Sequence, residues 1–117
     1  MKTIIAICVL ALGATPAPAL AETIQPTDAQ AHVGQTATIE GTVSEVHFAN
    51  RSETTFIDFV GNYPNNAFTA VIFKEDAAKF PSVEGLTGKT VDVTGSIDLY
   101  KGKPEIILRS ADQLKPH

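Results

Sequence analysis

The stretch that decides the fold is TATIEGTVSEVHF, which runs from Thr36 to Phe48. As far as Val43 every second residue is apolar or glycine, which is the pattern of a strand with one buried face. After Val43 the alternation shifts phase, and Val46 and Phe48 become the apolar positions. A glycine in mid-strand, Gly41, followed by a phase shift predicts a β-bulge and a sharp bend. A long strand bent in this way can serve two sheets of a small barrel.

Four more strands and two short helices are predicted around this segment. The predicted strands are Thr54–Val60, Ala67–Phe73, Thr90–Leu99 and Glu105–Arg109. The predicted helices are Asp28–His32, which Pro26 opens, and Glu75–Phe80, which Pro81 ends. Five short strands with a short N-terminal helix, and another short helix between the third and fourth strands, follow the order of the OB-fold. We therefore expect an all-β fold, a five-stranded OB-fold Greek-key barrel.

Residues 1–21 have the pattern of a secretory signal peptide. Lys2 precedes the apolar run Ile4–Gly13, and Ala19-Leu20-Ala21 offers small residues for cleavage after Ala21. Ten apolar residues are too few to span a bilayer as a helix, so we expect no membrane insertion after cleavage. We predict a periplasmic or secreted protein with one OB-fold domain at residues 22–117.

Composition narrows the function classes. The chain has 117 residues with 13 acidic and 9 basic side chains, and removal of residues 1–21 takes away Lys2 and the single cysteine, Cys8. The remainder has a net charge of −5, which argues against a bulk electrostatic grip on DNA or on an anionic membrane. Without cysteine, residues 22–117 can use neither a thiol nucleophile nor a thiolate metal site. We expect a small monomeric binding module.

The chain also resembles small exported bacterial OB-fold proteins. The resemblance lies in AHVGQ at 31–35 leading into TIEGTV at 38–43, TFIDF at 55–59, FTAVIF at 68–73, VTGSI at 93–97 and PEIIL at 104–108. It covers about residues 29–114. These relatives are grouped with nucleic-acid-binding OB domains, so the resemblance implies a nucleic-acid-binding-like OB barrel. Most of the matching residues are apolar or glycine, and they describe a barrel rather than a site.

The candidate ligand site follows from where OB barrels bind. Ligands occupy the face of strands two and three, between the loop after strand one and the hairpin of strands four and five. In this chain the two loops are residues 47–52 and 100–104. The cations and aromatic rings there could hold a single strand by charge and stacking. The predicted ligand-binding residues are His47, Arg51, Phe59, Tyr63, Tyr100, Lys101 and Lys103.

The residues of this predicted site can also be explained by structural roles. Lysines in a hairpin loop also keep a sheet edge soluble, and Asp98 and Glu105 flank them. The sequence leaves open which face of strand two points inward, so Phe59 and Tyr63 are candidates for the core as well. His32, His47 and His117 lack the spacing of metal ligands, and we predict no metal and no cofactor, with His47 the one histidine near the barrel mouth.

No catalytic motif is present in the sequence. It lacks a Gly-x-Ser-x-Gly elbow, a phosphate-binding glycine loop and a Cys/His pair, so we predict that the protein is not an enzyme. The predicted function is an exported module that contacts single-stranded nucleic acid or an oligonucleotide. The alternative is a module of the cell envelope that binds a protein or an oligosaccharide and has no role with nucleic acid.

Overall fold

The computed structural model describes residues 22–117, and the predicted signal peptide lies outside them. The strands are β1 (Glu22–Ile24), β2 (Thr36–Ala49), β3 (Thr54–Phe59), β4 (Phe68–Ile72), β5 (Thr90–Ser96), β6 (Asp98–Tyr100), β7 (Lys103–Ile107) and β8 (Leu114–Pro116). Short 3₁₀ helices span Pro26–His32, Lys74–Lys79, Val83–Leu86 and Ala111–Gln113. Both predicted helices are thus present, in the tighter 3₁₀ form that short helical segments often adopt.

The strands pair as in an OB-like fold. β2 is antiparallel to both β3 and β5, β3 is antiparallel to β4, and β4 is parallel to β7. The pairing order is β6-β7-β4-β3-β2-β5-β8, with β1 added beside β2. The prediction of an all-β, OB-like fold is confirmed in this coarse form. The prediction of a barrel of five strands is wrong, because eight strands within residues 22–117 form an open sheet.

The extra strands have physical causes. The predicted strand Thr90–Leu99 divides at Ile97, which is fully buried and leaves the strand ladder. Ile97 instead donates its backbone N–H to Gln35 O and accepts from the N–H of Gly34, each within 2.9 Å. β1 and β8 have three residues each, too short to show an alternating pattern. Only Ile97 separates β5 from β6 in the chain, so the curled sheet brings its two ends close together.

The bend in β2 lies where the sequence predicts it. The register with β3 shifts between Val43 and Glu45, so Ser44 is the additional residue of a bulge, and its hydroxyl donates to Asp58 O at 2.9 Å. Three residues before Ser44, Gly41 lies under the first 3₁₀ helix. A Cβ on Gly41 would meet Pro26 Cγ at 2.5 Å, so glycine is required for this helix to pack so closely on β2.

One side chain joins the two parts of the sheet that no ladder connects. Gln113 Nε2 donates to Thr94 O in β5 at 3.0 Å and to Ile107 O in β7 at 3.2 Å. Its Oε1 accepts from the backbone N–H groups of Arg109 and Ser110. The Gln113 amide therefore bridges the seam between β5 and β7.

The core lies inside the curled sheet. Ile57 and Phe59 of β3 point into it and are fully buried, with Phe59 against Phe68 at 5.5 Å between ring centroids. The alternate residues of β3, Phe56 and Asp58, point to the outer face. None of the helices within residues 22–117 is long and apolar enough to cross a membrane.

Candidate functional site

A polar row crosses the outer face of the sheet. Strand pairing places Glu45 of β2 beside Asp58 of β3, Asp58 beside Thr69 of β4, and Thr69 beside Glu105 of β7. The bulge at Ser44 produces this row, because it shifts the phase of β2 so that Glu45 points outward while Val46 turns toward the core. Side chains distant in sequence thereby meet on one surface.

An open cavity of about 520 Å³ lies beside this row. Its aromatic walls are His47, Phe56, Tyr63 and Tyr100, and its charged lining residues are Lys101, Lys103 and Glu105. This volume is within the range of small-ligand sites, about 300–1,000 Å³. A larger hollow of about 660 Å³, near Pro26 and Gly41, has Glu40 as its one charged lining residue and no aromatic one within the described chain. The 520 Å³ cavity is therefore the candidate site.

Five of the seven predicted site residues lie together in this cavity: His47, Tyr63, Tyr100, Lys101 and Lys103. Arg51 lies apart from them, in the exposed turn between β2 and β3. The prediction for Phe59 is wrong: it is fully buried, because odd-numbered residues of β3 point into the core. The 47–52 segment contributes His47 and Ala49 to the lining, and the 61–66 loop forms a further wall through Tyr63 and Pro64.

The aromatic walls come from three elements. The His47 ring stacks on Phe56 of β3 with centroids 4.8 Å apart and planes 17° apart. The Tyr63 ring also contacts His47, with ring centroids 5.3 Å apart and ring planes tilted by 41°. Tyr63 precedes a cis peptide bond to Pro64 and leaves 64% of its surface exposed. The result is an aromatic cluster with an open face toward solvent.

The hairpin between β6 and β7 supplies the remaining ring. Tyr100 is 59% exposed, and the ammonium of Lys101 lies 5.4 Å from its ring centroid, within the range of a cation–π contact. Lys101 makes no hydrogen bond or ion pair with any other residue of 22–117. Its charge is thus available to a ligand.

Lys103 has a different role from the predicted one. Its ammonium donates to Pro64 O at 2.6 Å, Asn66 O at 2.9 Å and Asn66 Oδ1 at 3.0 Å. An ammonium has three N–H donors, so all of them are used. Lys103 therefore fastens the 61–66 loop, and with it Tyr63, to the sheet rather than offering a free charge.

Asp58 is the most deeply buried charged group of the site. Its Oδ1 accepts from Asn66 Nδ2 at 3.2 Å and Thr69 Oγ1 at 3.1 Å, while its Oδ2 faces His47 Nε2 at 3.2 Å. Burial raises the pKa of Asp58 above its ordinary value, against the opposing effects of His47 and of the Thr69 hydrogen bond. Asp58 is not among the site residues predicted from the sequence, although an acid between the apolar residues Ile57 and Phe59 is a usable signal.

The charge of the face is acidic rather than basic. Burial, and then the nearby Asp98, raise the pKa of Glu105, which lines the cavity. Glu45 and Asp58 add two more carboxyl groups to the same face, and Lys101 is the cavity's cation without a hydrogen-bond partner in residues 22–117. Arg51, Lys101 and Lys103 do not converge on one anion site. Recognition here must depend on the rings more than on charge.

Comparisons with known proteins bear on the fold. No protein family model and no curated protein sequence matches the chain. A solved structure described as an aspartyl-tRNA synthetase from Leishmania major Friedlin is similar to it, with a TM-score of 0.56 and 12% identity over 92% of this chain and 23% of the other. At this identity the likeness supports the OB-like fold alone.

Two structures from Entamoeba histolytica have lower TM-scores and slightly higher sequence identities. An aspartyl-tRNA synthetase has a TM-score of 0.48 at 17% identity, over 68% of this chain and 18% of its own. An asparaginyl-tRNA synthetase has a TM-score of 0.47 at 20% identity, over 86% of this chain and 23% of its own. The chain spans less than a quarter of each of the three synthetases.

Proposed function

We propose that this chain is an exported OB-fold binding module that holds a short single strand of nucleic acid, with bases stacked on Tyr63 and Tyr100. The observation that carries the proposal is the pair of largely exposed tyrosine rings that line one cavity with His47 and Phe56. Every base has a flat π-face, and stacking on aromatic side chains contributes about 1–3 kcal/mol per base without reading sequence.

The charges of the site fit a mode in which stacking dominates. Lys101, beside Tyr100, is placed to contact one backbone phosphate, while Lys103 is occupied in holding Tyr63. The similar solved structure from Leishmania major is by name an enzyme for tRNA, which gives an OB-like neighbour that acts on nucleic acid. Fold alone does not assign a function, so the proposal depends on the rings.

Export is part of the proposal and depends on the sequence of residues 1–21. The charged start, the apolar run and the Ala19-Leu20-Ala21 site match a cleaved signal peptide. Intact mass of the protein purified from the extracytoplasmic fraction should correspond to a chain that begins at Glu22. A full-length chain in the cytoplasmic fraction would contradict export without bearing on the cavity.

Fluorescence anisotropy with labelled short DNA and RNA strands at low salt tests the binding function. We expect Tyr63→Ala and Tyr100→Ala each to weaken binding by roughly 5- to 150-fold, the equivalent of one lost stacked base. Phe48→Ala is the matched control, because Phe48 is 52% exposed but does not line the cavity. Absence of binding to any strand, or equal losses for all three variants, would overturn the proposal.

An oligosaccharide is the second candidate ligand, and the Glu105 carboxyl group in the cavity lining favours it. Carboxylates such as Glu105 accept hydrogen bonds from sugar hydroxyls, and OB barrels bind oligosaccharides as well as oligonucleotides. Calorimetric titration with neutral oligosaccharides distinguishes the two. Saturable binding that Tyr63→Ala weakens, together with no binding to single strands, would assign the cavity to a glycan.

A further inference from the structure

Three potential metal ligands meet beside the cavity. Glu45 and His47 are two residues apart on β2 and point to the same side, and Asp58 is the strand partner of Glu45 on β3. One ligand atom from each of the three lies within 4.8 Å of the others. Sequence spacing alone does not reveal this group, because the third member comes from a neighbouring strand.

Two buried atoms of the group lack a hydrogen-bond partner. Asp58 is fully buried, and neither its Oδ2 nor His47 Nε2 forms a hydrogen bond with any residue of 22–117, although the two atoms are 3.2 Å apart. The two atoms form an ion pair only when His47 is protonated. Buried polar atoms without a partner are costly, and native structures retain few of them.

The separation of these two atoms suits a shared cation. Nitrogen and oxygen ligands bind zinc at about 2.0–2.1 Å, so two ligands of one ion at tetrahedral or octahedral angles lie about 2.8–3.4 Å apart. The observed 3.2 Å is within that interval. Stacking on Phe56 orients the His47 ring, and the partly exposed Glu45 carboxylate, within 4.8 Å of both atoms, would approach them further to serve as the third ligand.

We propose that Glu45, His47 and Asp58 bind a divalent transition-metal ion of the zinc class. One imidazole nitrogen with two carboxylates suits such an ion, whereas calcium and magnesium favour sites made only of oxygen ligands. Three protein ligands leave at least one coordination position open, and the His47 ring also lines the cavity. The proposal is independent of whether the cavity binds nucleic acid.

A second group, Glu40, Asp92 and His117, provides the matched comparison. Its ligand atoms are equally close, but it lies on an exposed surface at the end of the chain. There His117 Nε2 already forms a 2.9 Å hydrogen bond with Asp92 Oδ1. With its nitrogen paired and no buried orphan atom, this group has no comparable reason to hold an ion.

Calorimetric titration of the metal-free protein with zinc chloride tests the site. We expect one saturable binding event. Loss of a residue that only supports a metal ligand typically lowers metal affinity by about 10–100-fold. His47→Gln and Asp58→Asn each remove a ligand, so each should lower the zinc affinity by more than that. His117→Gln should leave the affinity unchanged. No saturable binding of zinc, cobalt or manganese to the unmodified protein would overturn the proposal, as would loss of binding in His117→Gln alone.

A second measurement keeps the test decisive if a substitution disturbs folding. Paramagnetic cobalt or manganese added to the unmodified protein should broaden the NMR signals of His47 and Phe56 before those of His117. Broadening confined to His117 would contradict the site. Neither readout involves nucleic acid, so its failure leaves the proposed binding function untouched.

Discussion

At the scale of single residues, Lys103 shows how a cation predicted to bind a ligand can be structural instead. Its three donors end on Pro64 and Asn66, residues far from it in the chain. Lys101, two positions away in the same hairpin, has no such partners in the described chain. The sequence KGK cannot distinguish the two, because the difference depends on where the 61–66 loop folds back.

Lys103 and Lys101 allow two matched substitutions whose effects on stability should differ. Lys103→Met should lower the free energy of unfolding by about 1–2 kcal/mol, because it leaves partly buried carbonyl groups without a donor. Lys101→Met should change it by less than about 0.5 kcal/mol, as is typical of exposed positions. Urea denaturation followed by circular dichroism measures both. Equal effects of the two substitutions would show that Lys103 does not fasten the loop.

The same contact links stability to binding. Because Lys103 positions Tyr63 through the loop, Lys103→Met should also weaken the binding of a single strand, although the Lys103 ammonium is already bonded to Pro64 and Asn66. This prediction distinguishes a lysine that fastens a loop from a lysine that binds phosphate. Replacing the first lowers both the free energy of unfolding and the affinity for a single strand, whereas replacing the second lowers the affinity alone.

At the scale of elements, the close packing of the first 3₁₀ helix on β2 depends on a residue without a side chain. A Cβ at Gly41 would lie 2.5 Å from Pro26 Cγ and 3.2 Å from Phe59 Cδ2. Gly41→Ala should therefore destabilise the protein by about 1–3 kcal/mol through overpacking. Gly85→Ala is the control, since its Cβ would have nothing within 4 Å.

Thermal or urea unfolding of the two glycine variants checks this prediction. Gly85→Ala should be neutral or slightly stabilising, because alanine restricts the unfolded chain without meeting a neighbour. If Gly41→Ala proved equally neutral, the 3₁₀ helix would have to move away from β2 at little cost. The helix would then be loosely packed on the curled sheet rather than held in a fixed position.

The elements also show how far the sequence predicts this fold. Alternation within Thr36–Phe48 places the long strand and its bend correctly, because β2 has one buried face whose phase shifts at the bulge. The division at Ile97 could not be predicted, since it depends on bonds to Gly34 and Gln35 from another part of the chain. The site follows the same rule: its tyrosines stand out in the sequence, whereas the partners of Asp58, His47 on β2 and Thr69 on β4, are brought to it only by the fold.

At the scale of the whole molecule, charge separates the proposed stacking mode from ordinary electrostatic binding. Residues 22–117 carry a net charge of −5, and the cavity face has more carboxyl groups than free cations. A protein that held nucleic acid mainly through phosphates would require the reverse. Affinity for a single strand should therefore depend on ring contact and only weakly on salt.

The dependence of affinity on salt concentration measures how many phosphates the protein contacts. For single strands, the slope of log affinity against log salt is about −0.7 for each phosphate neutralised. If Lys101 neutralises one phosphate, the slope should be about −0.7, and if Arg51 neutralises a second, it should be about −1.4. Lys101→Gln should reduce the slope by one such step and leave most of the affinity, while Tyr100→Ala should reduce the affinity and leave the slope. A slope steeper than about −3 would require more phosphate contacts than this acidic face can supply.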